Sequence, residues 1–321
     1  MGSHQHEHHP IAQAASVAAG FAVTVQSRVN GELSVRLDSG LQAAVVSFGT
    51  GLIAVALMAL LLQRLRTGVM LAVGAVRSGR LRPWQVMGGL VGGVFVVVQS
   101  ATVPLIGVAL FTITIIGAQT GGSVAVDRSG VGPQGVIHPT RNRLLAASLA
   151  VIAVAVSMSG RIDASDFAWW AVLAAFAVGV AVSFQHSVNG LITREAGYPL
   201  AAGFFNFFWG TSLLAVWALL ASVLGTFVWH PLPLDAWWLY TGGLLGLGFI
   251  TVSAAIIHKL GGLRFALGSV AGQLVGALVL DVVAPTAGSE FSPQLLGGVA
   301  ITAVAVLLAN VRPRTPAAGD R

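Results

Sequence analysis

The sequence predicts an all-α integral membrane protein of ten transmembrane helices arranged as two inverted five-helix repeats, and three observations carry that prediction. First, 55% of the 321 residues are hydrophobic, 9% are charged and the mean hydropathy is +0.84, whereas a water-soluble domain carries about a quarter charged residues. Second, uninterrupted apolar runs such as Leu52 to Leu62 suit helices, which satisfy their own backbone groups in lipid, and lack the alternation of a barrel strand. Third, the chain repeats itself. Val25-Gln26-Ser27-Arg28-Val29-Asn30-Gly31 returns in altered form as Phe184-Gln185-His186-Ser187-Val188-Asn189-Gly190, an offset of 159. Further along the offset is 154, and it carries Trp84, Gly88, Gly89 and Gly92 onto Trp238, Gly242, Gly243 and Gly246, and Gly107, Gln119, Gly122 and Asp127 onto Gly261, Gln273, Gly276 and Asp281. A period of about 150 residues exceeds any solenoid repeat and indicates duplication of a whole bundle.

Residues 1–10, with His4, His6, His8 and His9, read as a tag or a disordered polar tail, since histidines without fixed geometry make a poor metal site. Spans of about 20 residues then fall at 11–34, 39–63, 84–102, 104–126 and 143–160, and again at 167–191, 198–222, 237–257, 261–283 and 292–311. The first five form repeat one (11–160), the second five repeat two (161–311), and 312–321 is a short tail. Arg64 to Pro83, which holds Val69, Met70, Leu71 and Val73 between arginines, is expected to lie along the membrane surface. Pro104 is expected to make the short turn between spans three and four, with Gly261-Gly262 in the matching place between spans eight and nine. Arg128 to Arg143, rich in glycine and proline, reads as a loop.

Of the 17 basic residues, 14 fall in alternate connections on one side and only Arg28, Arg36 and Arg161 on the other. The cytoplasmic side holds the excess, so both termini are expected there. Trp169, Trp170, Trp229, Trp237 and Trp238 then gather at the outer face and Trp84 marks the inner one. Because five is odd, the second half enters the bilayer opposite to the first, which gives the inverted repeat of many secondary transporters. The net charge of +6 lies in these loops and reports topology; no nucleic-acid partner is expected. Cysteine is absent, which excludes disulfide and thiolate chemistry.

Gln26 and Asn30 stand one turn apart on one helix face towards one side of the membrane, and Gln185 and Asn189 repeat the pair towards the other. Gln119 and Gln273 are divided between the sides in the same way, so two amide clusters are expected. Polar side chains at membrane depth face protein or water. These six therefore contact a small polar or amphipathic substrate, or latch the two gates, or only join helices by hydrogen bonds worth about 0.6 kcal/mol each. Glycines beside Gln119 and Gln273, at 117, 121, 122, 272 and 276, suggest close helix packing. Asn206 stands within Phe204 to Trp209, whose aromatics either wall a site for a cationic or aromatic solute or simply pack. For proton coupling the candidates are His186 and Glu32; Arg28 and Arg36 flank the glutamate at i−4 and i+4, which favours a structural ion pair. Asp127 and Asp281 end their spans and read as capping or packing groups. No phosphate loop, metal-ligand pair on one helix or nucleophile with its base occurs, so neither an enzyme nor any cofactor or metal is expected.

Three features occur twice and in order over about Ile11 to Val311: Gln-x-x-x-Asn closing the first span of each half, Trp followed by Gly-Gly-x-x-Gly opening each third span, and a fourth-span Gln followed eight residues later by Asp. In these the chain resembles the YdcZ-type family of the drug/metabolite transporter superfamily. The resemblance implies two fused five-span halves in a bacterial inner membrane, an exporter of undefined substrate, and a pathway surrounded by spans one to four and six to nine. Small multidrug members of the superfamily carry a glutamate in their first span; Ala14 to Val25 holds no acid, so that mode of proton antiport does not carry over. The expectation is a secondary transporter that moves a small molecule through the lipid bilayer by alternating access, as a monomer or a homodimer. A lipid or amphiphile flippase and a non-transporting scaffold or receptor are the alternatives.

Overall fold

The computed structural model describes residues 10–161 and 167–310. The His-rich segment 1–9 and the tail from 311, with Arg312, Arg314 and Arg321, lie outside the described residues, as do the side chains of His258 and Lys259. Among the described residues all regular structure is helical: α1 (Pro10–Arg36), α2 (Gly40–Leu61), α3 (Gln63–Arg77), α4 (Gly89–Ile106), α5 (Val108–Ser129), α6 (Arg141–Met158), α7 (Trp169–Ala196), α8 (Pro199–Val223), α9 (Gly242–Leu260), α10 (Gly262–Val283) and α11 (Pro293–Ala309). Short 3-10 turns, Pro83–Val86 and Leu234–Thr241, lead into α4 and α9.

Among the described residues eight helices, α2 and α4 to α10, are long and apolar enough to cross a membrane. Of the ten expected, α1 has the length, at 27 residues, but Gln13, Gln26, Arg28 and Glu32 dilute its apolar character, and α11 is apolar but only 17 residues long. The surface segment is the helix α3, whose small and apolar stripe Leu65, Gly68, Ala72 and Ala75 is buried against α7 and α8 while its arginines stay exposed.

Local chemistry sets the helix ends. Ser39, Thr140 and Ser292 accept hydrogen bonds from the first-turn amides of α2, α6 and α11, which satisfies donors the helix itself leaves free. The α4/α5 break differs from expectation. Pro104 lies inside α4, and the chain breaks three residues later at Gly107, with φ 82°. Proline removes the amide that would bond the Ser100 carbonyl, and the Ser34 hydroxyl of α1 donates to that carbonyl instead. The helix therefore runs on through Pro104, and the turn forms where glycine permits a positive φ. Gly261, with φ 77°, makes the matching break before α10.

The helices of the two halves interleave. α1 packs on α9 and α10, while its repeat mate α7 packs on α4 and α5. α6 and α11 pair with each other at one flank. The core accordingly falls in two main apolar clusters, one around α4, α5, α6, α7, α10 and α11 and the other around α2, α3, α4, α7 and α8.

Candidate functional site

A cavity of about 850 Å³ opens between α5, α7 and α10, with the end of α11 and the loop 130–140 at its rim. Its walls come from both repeats. Gln119 of α5 and Gln273 of α10 line it together, with Thr120, Ser123, Ser183 and His186 among the other polar groups and Ile116, Val124, Val270 and Val306 between them. Gln119 lies ten residues before Ser129, the end of α5, and Gln273 eleven residues after Gly262, the start of α10; at 1.5 Å per residue both sit roughly 15 Å inside, near mid-depth of a ~30 Å apolar core. The two glutamines expected in separate clusters thus share one space, because both stand at mid-helix and the end of α5 lies beside the start of α10.

The Ser183 hydroxyl donates to the Gln119 carbonyl (3.0 Å) and fixes α7 against α5 at that level. Gln273 Nε2 donates to Ser269 Oγ (3.4 Å). At the rim, Asp127 is ion-paired with Arg143, whose guanidinium also donates to Ser123 Oγ (3.4 Å). The two charges compensate each other, and the deeper lining is neutral or, at His186, an imidazole. Among the described residues no cluster of three His, Asp or Glu could hold a metal ion.

The opposite end of the bundle is shut. Asn30, fully buried in α1, donates through Nδ2 to Gln99 Oε1 of α4 (2.8 Å), and Gln99 Nε2 donates to Ser27 Oγ (2.9 Å). Ser27 is the repeat mate of His186, which is exposed in the cavity. Equivalent positions are therefore sealed in one half and open in the other. Gln99 is a buried contact of this end that the repeat does not point to, since its mate is Ser253; a lone amide at mid-helix in the apolar run of α4 was the available signal.

The paired amides themselves lie in helix contacts between the halves. Gln26 and Asn30 of α1 sit against Gly246 and Gly242 of α9, and Gln185 and Asn189 of α7 sit against Gly92 of α4 and Gly88 just before it. Each Gln-x-x-x-Asn pair is thus seated on the Gly-Gly-x-x-Gly of the other repeat. The Oδ1 atoms of Asn30, Asn189 and Asn206 are buried without a hydrogen-bond partner. None of these five amides is in the cavity lining. Asn206 passes its backbone against Gly89, Phe207 packs on Gly51 and Phe48, and Phe208 faces outward, so the aromatic run of α8 packs against its neighbours and does not wall the cavity. Of the glycines beside Gln119 and Gln273, Gly122 abuts α7 and Gly272 and Gly276 abut α1, whereas Gly121 faces open space.

Glu32 is held between Arg28 (3.0 Å) and Arg36 (3.4 Å) at the far end of α1, and Arg36 also reaches Asp235 (3.0 Å). The structure therefore places Gln119, Gln273 and His186 together in the cavity and Glu32 apart from it.

Residues 11–156 and 170–308 match a family model described as "Putative inner membrane exporter, YdcZ". No curated protein matches the chain.

Proposed function

We propose that the chain, which belongs to the YdcZ family, is a secondary transporter which carries a small polar solute by alternating access. The observation that carries the reading is the one-ended cavity, whose mid-depth polar groups Gln119 and Gln273 come from equivalent positions of the two repeats. Transporters built from inverted repeats hold substrate near the bilayer midplane at the interface between repeats. On this reading α1 and α11 join the other eight helices to make ten spans, and the second half is inverted relative to the first. The open mouth faces the arginine-rich side, and the excess of arginine there supports a cytoplasm-facing conformation with both termini in the cytoplasm.

The lining also narrows the cargo. Gln119, Gln273, Ser183 and Thr120 offer neutral donors and acceptors, while Asp127 and Arg143 neutralise each other. A buried ion with no counter-charge costs several kcal/mol, so a solute that is uncharged or zwitterionic fits this cavity and one of high net charge does not. His186 is the titratable group that stands in the wall beside that solute, and a proton taken up there is the coupling route this reading supports.

The test is a thermal-shift screen of the detergent-purified protein against neutral sugars, zwitterionic amino acids, organic cations, organic anions and phospholipid head groups, followed by flux of each hit in proteoliposomes. A ligand at 100 times its Kd adds about 2.7 kcal/mol and raises Tm measurably. Gln119→Leu and Gln273→Leu are expected to abolish the shift and the flux while leaving the ligand-free Tm near that of the wild type. Hits confined to head groups would favour a flippase, and unchanged shift and flux in both variants would refute the cavity as the substrate site.

A further inference from the structure

We infer that Asp127 and Asp281 are exchangeable helix caps that latch the two mouths of the bundle in turn, an inference that rests on the alternating-access reading. The two carboxylates are repeat mates, and so are Gly107 and Gly261, which immediately precede α5 and α10. These glycines hold nearly the same backbone conformation, with φ 82°, ψ 161° and φ 77°, ψ 153°. The two elbows are thus built alike, and they differ in what caps them.

Asp281 stands near the end of α10 but caps α5. Its Oδ1 accepts the Val108 N–H (2.9 Å) and its Oδ2 the Ala109 N–H (2.8 Å), and the Ser289 hydroxyl donates to Oδ1 (2.7 Å). A carboxylate on first-turn amides satisfies donors the helix leaves free and complements the helix dipole. The loop after Asp281 folds over the same elbow: the Gly288 N–H donates to the Pro104 carbonyl (2.9 Å), Arg161 donates to the Gly288 carbonyl (2.9 Å), and Arg161 pairs with Glu290 (2.7 Å). Asp281 and its loop tie α10 to the α4/α5 elbow and keep this end shut.

Asp127 occupies the equivalent place on α5 and is engaged differently. It is paired with Arg143 at the rim of the open cavity, and the loop after it runs along α7, with Pro133 against Gly190. The repeat carries Val108 and Ala109 onto Gly262 and Leu263, the first-turn amides of α10. If the open mouth closes as the mirror of the shut one, Asp127 leaves Arg143 and caps those amides, while Asp281 releases α5. One cap forms as the other breaks, so the exchange costs little and favours neither state strongly.

The chain has no cysteine, so single cysteines report mouth opening without background. Ser100→Cys, fully buried where α1 meets α4, reads the shut end, and Ser187→Cys, in the cavity wall, reads the open one. Labelling of each by a water-soluble maleimide is followed in membranes with Asp281→Asn, Asp127→Asn, both together, or Arg143→Gln, and the Tm of every purified variant checks its fold. Losing a charged cap shifts the balance by about fivefold. Asp281→Asn is expected to speed labelling of the Ser100→Cys reporter about fivefold and Asp127→Asn to slow it about as much, while the double variant returns near the starting rate. Arg143→Gln, which frees Asp127, speeds it only while Asp127 is present. If Asp281→Asn unfolds the protein, Asp127→Asn and Arg143→Gln still decide, because neither touches the shut end. The proposal is overturned if adding Asp127→Asn to Arg143→Gln, a background in which no ion pair is lost along with the cap, leaves the rate unchanged, since Asp281 is then an ordinary cap. A Ser100→Cys reporter that stays unreactive in every folded background, beside a reactive Ser187→Cys reporter, overturns the alternating-access reading beneath it.

Discussion

Two glycines in one helix give the sharpest check on the packing. Gly243 and Gly248 lie in the same Gly-Gly-Leu-Leu-Gly-Leu-Gly run of α9 and look alike in the sequence. A methyl group at Gly243 would overlap the Ser47 carbonyl of α2 and stand 2.5 Å from Gly51 N and 2.7 Å from Thr50 Oγ1. Those last two separations fall about 1 Å short of ordinary contact at roughly 3.5 Å, and the obstacles are mostly backbone, so α9 and α2 must move apart. Overpacking of this kind costs about 1–3 kcal/mol, against a gain of roughly 0.5–1 kcal/mol for alanine over glycine in a helix. A methyl group at Gly248 meets nothing within 4 Å, and its repeat mate is the exposed Val94. Gly243→Ala is therefore expected to destabilise by about 1–2 kcal/mol and Gly248→Ala to stabilise by about 0.5–1 kcal/mol. Thermal melting of both variants in the same detergent reads the difference, which amounts to several degrees. Equal shifts of the same sign would refute the α2–α9 contact, and with it the seating of each amide pair on the glycine motif of the opposite half.

Two further predictions concern the hydrogen bonds around that seating. Ser34→Ala leaves the Ser100 carbonyl without the partner that Pro104 denies it, and is expected to cost about 0.6–1.7 kcal/mol; Pro104→Ala restores the amide, so the double variant loses less than Ser34→Ala alone, as a melting-based double-mutant cycle measures. Asn30→Ala strands Gln99 Oε1 and is expected to lower stability by about 1 kcal/mol, whereas Asn189→Ala removes a buried acceptor that has no partner and stays within about 0.5 kcal/mol of wild type. A larger loss from Asn189→Ala, in the same melting assay, would contradict this assignment.

Helix existence was legible because in an apolar solvent each helix must close its own backbone hydrogen bonds, which makes hydropathy and length sufficient evidence. The glycine break before α10, the turn-rich loop after α5 and the amphipathic stretch that becomes α3 could be read as well, because each is local in the chain. Facing was not legible. Most of these helices are apolar on every side, so periodicity does not separate a lipid face from a buried one, and a glutamine at mid-span reads alike whether it meets a cavity or a neighbouring helix. Only the tertiary structure decided that Gln119 and Gln273 share a cavity while Gln26, Asn30, Gln185 and Asn189 pack against glycines of the opposite half. It also decided that α4 runs through Pro104, because the partner for the Ser100 carbonyl comes from Ser34, 66 residues earlier. Asp281 likewise caps a helix that begins 173 residues before it. The sequence by itself determined which segments are helices and how they recur; which groups meet was settled by contacts between segments far apart in the chain, where a hydrogen bond or an ångström of clearance outweighs local preference.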